Sequence, residues 1–185
     1  MWPHTVAILI GGQSKRMGSP KHLVRLQSGK TMLETMLHFA SALSKRVVIL
    51  GGEIQGQHCI PDTRHEQGPV AGIEALLHSK VDTKYLVVGC DMPSITCDSI
   101  APLLQCTTSA LFSYNNRLLG LPLFVYGNVS GACSAYLDDG GRSIHGFVTN
   151  IENSVIPLRE KEAKTLLSVN SPEDLNKFTL EQGGE

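Results

Sequence analysis

No stretch of these 185 residues approaches the roughly 18 consecutive apolar residues that a membrane-crossing helix requires. The opening MWPHTVAILIGG has no basic segment ahead of its short apolar run and no small-residue cleavage pattern, so it reads as a core strand rather than a secretory leader. Charge of neither sign is in excess. Sixteen Lys and Arg against 17 Asp and Glu leave a formal net charge of −1, so no broad basic field points to DNA or RNA. The five cysteines (Cys59, Cys90, Cys97, Cys106, Cys133) are odd in number, widely spread and form no C-x-x-C. That spacing disfavours a disulfide framework or a zinc site and predicts reduced thiols in a cytoplasmic protein. Internal repeats, low-complexity segments and long linkers are missing too. One domain over residues 1–185 is expected, with a frayed tail at 183–185.

What is present is a hydrophobic share of 42%, arranged as alternating strand-like and helix-like segments. Residues 6–10 (VAILI), 47–50 (VVIL) and 85–88 (YLVV) are short continuous apolar runs that end at or beside glycine, the pattern of strands buried on both faces. Between them, 32–43 repeats apolar residues at helical spacing behind a Thr31–Glu34 capping box, and 70–78 continues helically after Gly68-Pro69. Residues 110–114 and 121–126 predict two strands joined by a tight reversal at 115–117, and 129–137 predicts a helix stopped by Asp138-Asp139-Gly140-Gly141. A last strand–turn–helix is expected over 166–175, with Ser171 as N-cap and Pro172 at the first helical position. Alternation of this kind predicts an α/β fold, a mostly parallel sheet covered on both faces. In such sheets ligands sit beyond the carboxyl ends of the strands. The loops 11–21, 61–69 and 89–93 all follow predicted strands and are expected to converge there.

Residues 9–21, LIGGQSKRMGSPK, carry the strongest chemical signal. Gly11-Gly12 bares several backbone N–H groups to an anion, and Lys15, Arg16 and Lys21 supply positive charge. Lys21 is the expected direct phosphate ligand. Arg16 can act in the same way, whereas Lys15 also reads as a solvated charge. Neither G-x-x-x-x-G-K-[ST] nor G-x-G-x-x-G is present, which excludes the P-loop and dinucleotide-dehydrogenase signatures. Asp91, in GCDMP after the 85–88 strand, suits a Mg²⁺ ligand beside a nucleotide, since Mg²⁺ takes one or two carboxylates plus phosphate oxygens and water. Its plainer reading is a turn cap. Asp62 precedes a helix start flanked by Gly68 and Gly72, where free N–H groups can receive an anion or a base edge. Asp62 itself suits a purine's N–H donors, a place near the metal, or simple solvation. Glu66 reads as loop solvation and His65 as a loop histidine. Asn170 is placed to reach a ligand across the cleft mouth, although S-P-E-D after it is sufficient as a helix start.

LIGGQSKRMGSPK resembles the nucleotidyltransferase signature L-A-G-G-x-S-x-R-M-G-x-D-K. The ordered set D…GPVAG, CDMP, LPLFVY and VNSPEDL, spanning roughly residues 5–178, is similar to the molybdenum cofactor guanylyltransferase family. The chain departs from that pattern at Ile10 (for Ala), at Pro20 (for Asp) and at Leu121, which precedes Pro122 in place of a His. The resemblance implies a three-layer, Rossmann-like nucleotidyltransferase fold and transfer of GMP from GTP to molybdopterin with release of pyrophosphate, dependent on Mg²⁺. It implies that Leu9, Ile10, Gly11 and Gly12 line the GTP site, that Lys21 contacts phosphate and that Asp62 contacts the nucleotide. Asp91 would bind nucleotide and Mg²⁺ together, Arg16 would join Lys21 in stabilising phosphate charge, and the Asn170 region would lie on the pterin side. Besides the two substrates, molybdoenzymes or their chaperones are the implied partners. The alternatives are a cytidylyltransferase acting on molybdopterin or a sugar or polyol phosphate, and a non-catalytic nucleotide-binding adaptor.

Overall fold

Every residue of the first strand, β1 (Thr5–Leu9), is buried, because apolar side chains alternate to two covered faces. The structure, a computed structural model, describes residues 2–10 and 20–182, so Gly11, Gly12, Lys15, Arg16 and Gly18 lie outside the described residues. From β1 the chain runs through a short 3₁₀ turn (Lys21–Leu23) and α1 (Met32–Leu43) to β2 (Val47–Leu50) and β3 (Cys59–Ile60). Then come α2 (Pro69–Ser79), β4 (Lys84–Gly89), α3 (Cys97–Leu104) and the hairpin β5 (Ser109–Tyr114)–β6 (Arg117–Tyr126). The remainder is α4 (Ser130–Asp138), α5 (Ile144–Val148), β7 (Asn153–Pro157), α6 (Glu160–Lys164) and α7 (Pro172–Gln182). None of these helices is long and apolar enough to cross a membrane.

The seven strands form one sheet in the order β3-β2-β1-β4-β6-β5-β7. β1 pairs in parallel with both β2 and β4, β2 with β3, and β5 with β7, while β6 runs antiparallel between β4 and β5. The sheet is therefore mostly parallel and covered on both faces, the α/β three-layer arrangement expected. Val6 and Ile8 look to one side, into a core with Met36, Phe39 and Leu43 of α1 and Ile100 and Leu103 of α3. Ala7 and Leu9 look to the other, against Val70, Ile73 and Leu76 of α2, Cys133 and Leu137 of α4, and Phe147 of α5.

Several local predictions hold. Thr31 and Glu34 make both halves of the capping box of α1. The hairpin reversal is two residues, Asn115 and Asn116, both at positive φ (50° and 60°), which Asn tolerates and which matches the twist of the flanking strands. Ser171 Oγ accepts from the Asp174 N–H, and Pro172 opens α7. Others need correction. β6 begins at Arg117, not at 121. Residues 166–169 are not a strand. Leu166 fills the α1–α3 core, and Val169 packs on Leu26 and Met32 with its N–H donated to the Asp91 carbonyl, 2.8 Å away. The seventh strand is Asn153–Pro157, without a fully buried residue, and it forms because it pairs with the edge of β5.

Two features of this topology make the site. The carboxyl ends of β1 and β4 lie side by side (Leu9 is paired with Gly89, and the Cys90 N–H reaches the Leu9 carbonyl at 3.0 Å), so the loops that follow both strands start together. The last β4–β6 pair is Val87 with Leu123, so residues 117–122 of β6 are paired only with β5 where they are paired at all.

Candidate functional site

Lys21, Asp91 and Asn170, separated by up to 149 positions, meet at this end of the sheet. The Lys21 ammonium donates to Asp91 Oδ2 at 2.7 Å and also to Asn170 Oδ1. Side-chain exposures of 21% for Lys21 and 17% for Asp91 shield the pair from water more than a surface ion pair, yet leave both groups accessible to a ligand. Each partner is positioned by its backbone. Lys21 opens the 3₁₀ turn behind Pro20, whose ring fixes φ at −56°. Asp91 follows β4 directly, and its carbonyl is held by Val169. Gly89 makes room for the carboxylate: a Cβ there would stand 2.5 Å from Asp91 Oδ1. Asn170 is held by its own N–H, which donates to Asp174 Oδ2 at 2.9 Å, and by its amide, which donates to the Ser168 carbonyl at 3.2 Å. The Asn170 oxygen is therefore turned to Lys21. The docking of Val169, Leu175 and Phe178 against Leu26 and Met32 brings this C-terminal segment to the first loop.

Asp62 sits apart from that triad, on the α2 side of β1. A Cβ on Gly72 would lie 3.3 Å from Asp62 Oδ1 and 3.2 Å from Leu9 Cδ1, so the glycine lets the carboxylate approach the end of β1. Asp62 Oδ1 is buried and has no hydrogen-bond partner among the described residues. Burial pushes its pKa above the usual carboxylate range, against a smaller opposing pull from His65. A buried, unsatisfied acceptor is costly, and an N–H donor from a ligand would satisfy it. The loop carrying Asp62 is anchored by Arg64. Its guanidinium takes both oxygens of the buried Glu74 of α2, at 2.8 and 2.9 Å, and also reaches Asp138 at 2.6 Å. Burial raises the Glu74 pKa, but the hydrogen bonds from Arg64 outweigh it and hold the group ionised. Gly68 caps α2 at φ 73°, ψ −171°, a conformation reserved for glycine, and a Cβ there would press on the Arg142 carbonyl at 3.1 Å.

A cavity of about 670 Å³, within the range of small-ligand sites, is lined by Asp91 and extends from Pro69 at the α2 start to β6. Leu118, Leu119 and Leu121 of β6, Ile144 of α5, and Leu166 and Leu167 make it mainly apolar, and Arg142, Ser143, His145 and Ser168 add polar groups. The 140–146 segment that forms one wall is threaded by Tyr136. Its ring and hydroxyl occupy the space a Cβ on Gly141 or Gly146 would need (2.3 and 2.1 Å), and its hydroxyl donates to the Ser143 carbonyl at 3.1 Å.

Of the residues singled out in the sequence, the structure thus joins Lys21, Asp91 and Asn170, and places Leu9, Asp62 and Gly68 around the α2 start. Gly11, Gly12 and Arg16 fall outside the described residues. Ile10 is buried in the α1-side core, its bulk taken up by Gly52, whose Cβ would stand 3.0 Å from Ile10 Cδ1. Of the cavity wall at 118–121 and 142–145, the sequence singles out only Leu121, through the LPLFVY motif; Arg142, Ser143 and His145 were missed, because the wall is assembled from separate segments.

Comparisons with known proteins fit this arrangement. The profile of the MobA-like NTP transferase domain matches residues 6–151. A molybdenum cofactor guanylyltransferase of Xanthomonas euvesicatoria pv. vesicatoria is 23% identical over 182 residues, covering 97% of this chain and 96% of that protein. A probable molybdenum cofactor guanylyltransferase of Pelotomaculum thermopropionicum is 38% identical over 106 residues, 52% of this chain and 49% of that protein. The crystal structure of molybdopterin-guanine dinucleotide biosynthesis protein A from Archaeoglobus fulgidus superimposes with a TM-score of 0.82 at 20% identity, covering 98% of this chain and all of that one, a likeness of fold. With its profile matched from β1 through α5, the chain belongs to the family of MobA-like NTP transferase domains.

Proposed function

We propose that this protein transfers GMP from GTP to molybdopterin and releases pyrophosphate. The observation that carries the reading is the meeting of Lys21, Asp91 and Asn170 at the strand ends, beside two differently built surroundings: an apolar cavity lined in part by Asp91, and Asp62 Oδ1, buried without a hydrogen-bond partner among the described residues. A donor nucleotide and a large acceptor need such a division, with the reacting phosphates between them.

In the reaction a terminal phosphate oxygen of molybdopterin attacks the α-phosphorus of GTP. One P–O bond forms, the bond to the β-phosphate oxygen breaks, and pyrophosphate carries away the electron pair. The nucleophile is already ionised at neutral pH, so no acid–base pair is required. What the chain must supply is alignment of two anions and stabilisation of charge on the phosphate oxygens. Lys21 is suited to that work, and incoming phosphate competes with Asp91 for its ammonium. Asp91, released from Lys21, would hold Mg²⁺, which supplies further charge neutralisation at the phosphates. No group of three or more His, Cys, Asp or Glu among the described residues forms a metal cage, which suits an ion that takes most of its ligands from phosphate and water. Arg16 and the Gly11-Gly12 amides are assigned to the same phosphates from the sequence. Hand-over of the product to molybdoenzymes or their chaperones would follow release.

Asp62 favours guanine over cytosine. Guanine presents two adjacent donors, N1–H and N2–H, to a carboxylate, whereas the cytosine edge offers one donor beside acceptors. A thermal-shift comparison with Mg²⁺ should therefore show stabilisation by GTP well above that by CTP. Asp91→Asn should retain the fold and lose Mg²⁺-dependent transfer; near-normal turnover by that variant would overturn the role given to Asp91.

A further inference from the structure

His145 has its tautomer fixed by the fold, and the consequence faces the cavity. Its Nε2 lies 2.7 Å from the Leu118 carbonyl oxygen, which can only accept, so Nε2–H donates to it and, in that tautomer of the imidazole, Nδ1 is the acceptor nitrogen. The carbonyl is in the part of β6 that extends past the last β4–β6 pair, so a side chain rather than β4 engages it. Nδ1 faces Gly120: a Cβ built there would come to 3.5 Å from Nδ1 and 3.4 Å from Cε1. The missing side chain at Gly120 leaves the space beside Nδ1 open, and both residues line the cavity that begins at Asp91.

We propose that His145 Nδ1 is the specificity-determining acceptor of the second substrate's subsite, taking an N–H from the edge of a flat heterocycle that lies among the β6 leucines. The occupant is the pteridine ring of the acceptor, an assignment that rests on a pterin phosphate being the second substrate. Three properties of the cavity match that ring. The cavity is continuous with Asp91, so a phosphate attached to the ring reaches the reacting centre. Leu118, Leu119 and Leu121 offer apolar surface to a planar body. His145 offers an acceptor to its N–H donors, where a lysine or arginine would meet them donor to donor. Guanine and pterin share the same 2-amino-4-oxo edge. Two different acceptors serve these two like edges: the Asp62 carboxylate and the His145 imidazole. An imidazole in place of a second carboxylate leaves the acceptor's phosphate free of another fixed negative charge.

The test titrates the whole protein, with Mg²⁺ and excess GTP occupying the Asp62 side, using fluorescence quenching of pterin and of 1,3-dimethyllumazine, whose N–H donors are removed. Wild type should bind pterin about tenfold more tightly than the dimethyl compound, the contribution of one or two neutral hydrogen bonds. His145→Leu should bring that ratio close to one, and His145→Gln, whose side-chain oxygen accepts, should recover part of it. Gly120→Ala, whose added methyl sits at ordinary contact distance from the ring, should also lower the ratio while the GTP thermal shift is kept. An unchanged ratio in His145→Leu, or no pterin binding by wild type, would overturn the proposal. Failure of the wider reading looks different: pterin preference that depends on His145, with no nucleotide transferred to molybdopterin, leaves the subsite standing and removes the guanylyl-transfer function.

Discussion

Replacing Asp62 with asparagine should make the resting protein more stable and weaken its hold on GTP, two effects that a purely structural carboxylate would not combine. Asp62 Oδ1 is buried without a hydrogen-bond partner among the described residues, and burial raises the carboxyl's pKa. An unsatisfied buried acceptor costs about 1–3 kcal/mol, more when charged. Asn keeps the shape and removes the charge, so a gain of about 1 kcal/mol is expected, or about 2–4 °C in Tm for a chain of this size. The pH dependence follows from the direction of the shift. A carboxyl whose pKa is raised on folding favours the folded state most below its unfolded value, and that contribution is lost as pH rises through the folded value. The advantage of Asp62→Asn over wild type is therefore full at neutral pH. It shrinks as pH falls through the raised pKa toward the ordinary value near 3.8. With nucleotide present the order reverses. Loss of charge-assisted hydrogen bonds to guanine, worth about 1.5–3 kcal/mol, should weaken GTP binding by roughly 10- to 100-fold. Differential scanning fluorimetry with and without GTP and Mg²⁺ at pH 7 reads both effects. A variant that melts below wild type and keeps the full GTP shift would refute the reasoning.

Gly89→Ala places a methyl 2.5 Å from Asp91 Oδ1, so the carboxylate must shift; transfer rate should fall by about 10²-fold while Tm moves by no more than about 3 °C, read by steady-state kinetics beside a melting curve. At the opposite end of β1, burial would raise the Asp82 pKa, but hydrogen bonds from His4, the Thr83 N–H and Arg46 hold it at about 2. The stability this contributes, on the order of 2 kcal/mol, is present above the ordinary value near 3.8 and lost as pH falls toward 2. Asp82→Asn should accordingly lower Tm at pH 7 by about 4–8 °C and remove that part of the acid slope, followed by circular dichroism.

The parts of this molecule legible in its sequence are those whose cause is local. The 6–10 run could only be a doubly buried strand, and Thr31 with Glu34 names the start of α1. The meeting of Lys21 and Asp91 was legible because each follows a predicted parallel strand, and topology alone then brings strand ends together. Asn170 drew attention through the helix start beside it, although what seats it is remote: Val169 and Phe178 against Leu26 and Met32. The misread segments have non-local causes. Asn153–Pro157 carries no buried alternation and becomes a strand because β5 offers an edge. The apolar residues at 166–169 look like a strand but serve as plugs for two cores. His145 sits in no motif, and the carbonyl that orients its ring is 27 positions away.

The most direct test of guanylyl transfer is incubation of the purified protein with molybdopterin, Mg²⁺ and GTP labelled at the α-phosphate. The label should move into a molybdopterin–guanine dinucleotide with one pyrophosphate released per transfer, and the movement should stop in Asp91→Asn. Label that remains in GTP, with wild type intact and GTP bound, would contradict the account and leave a nucleotide-binding protein without the transfer.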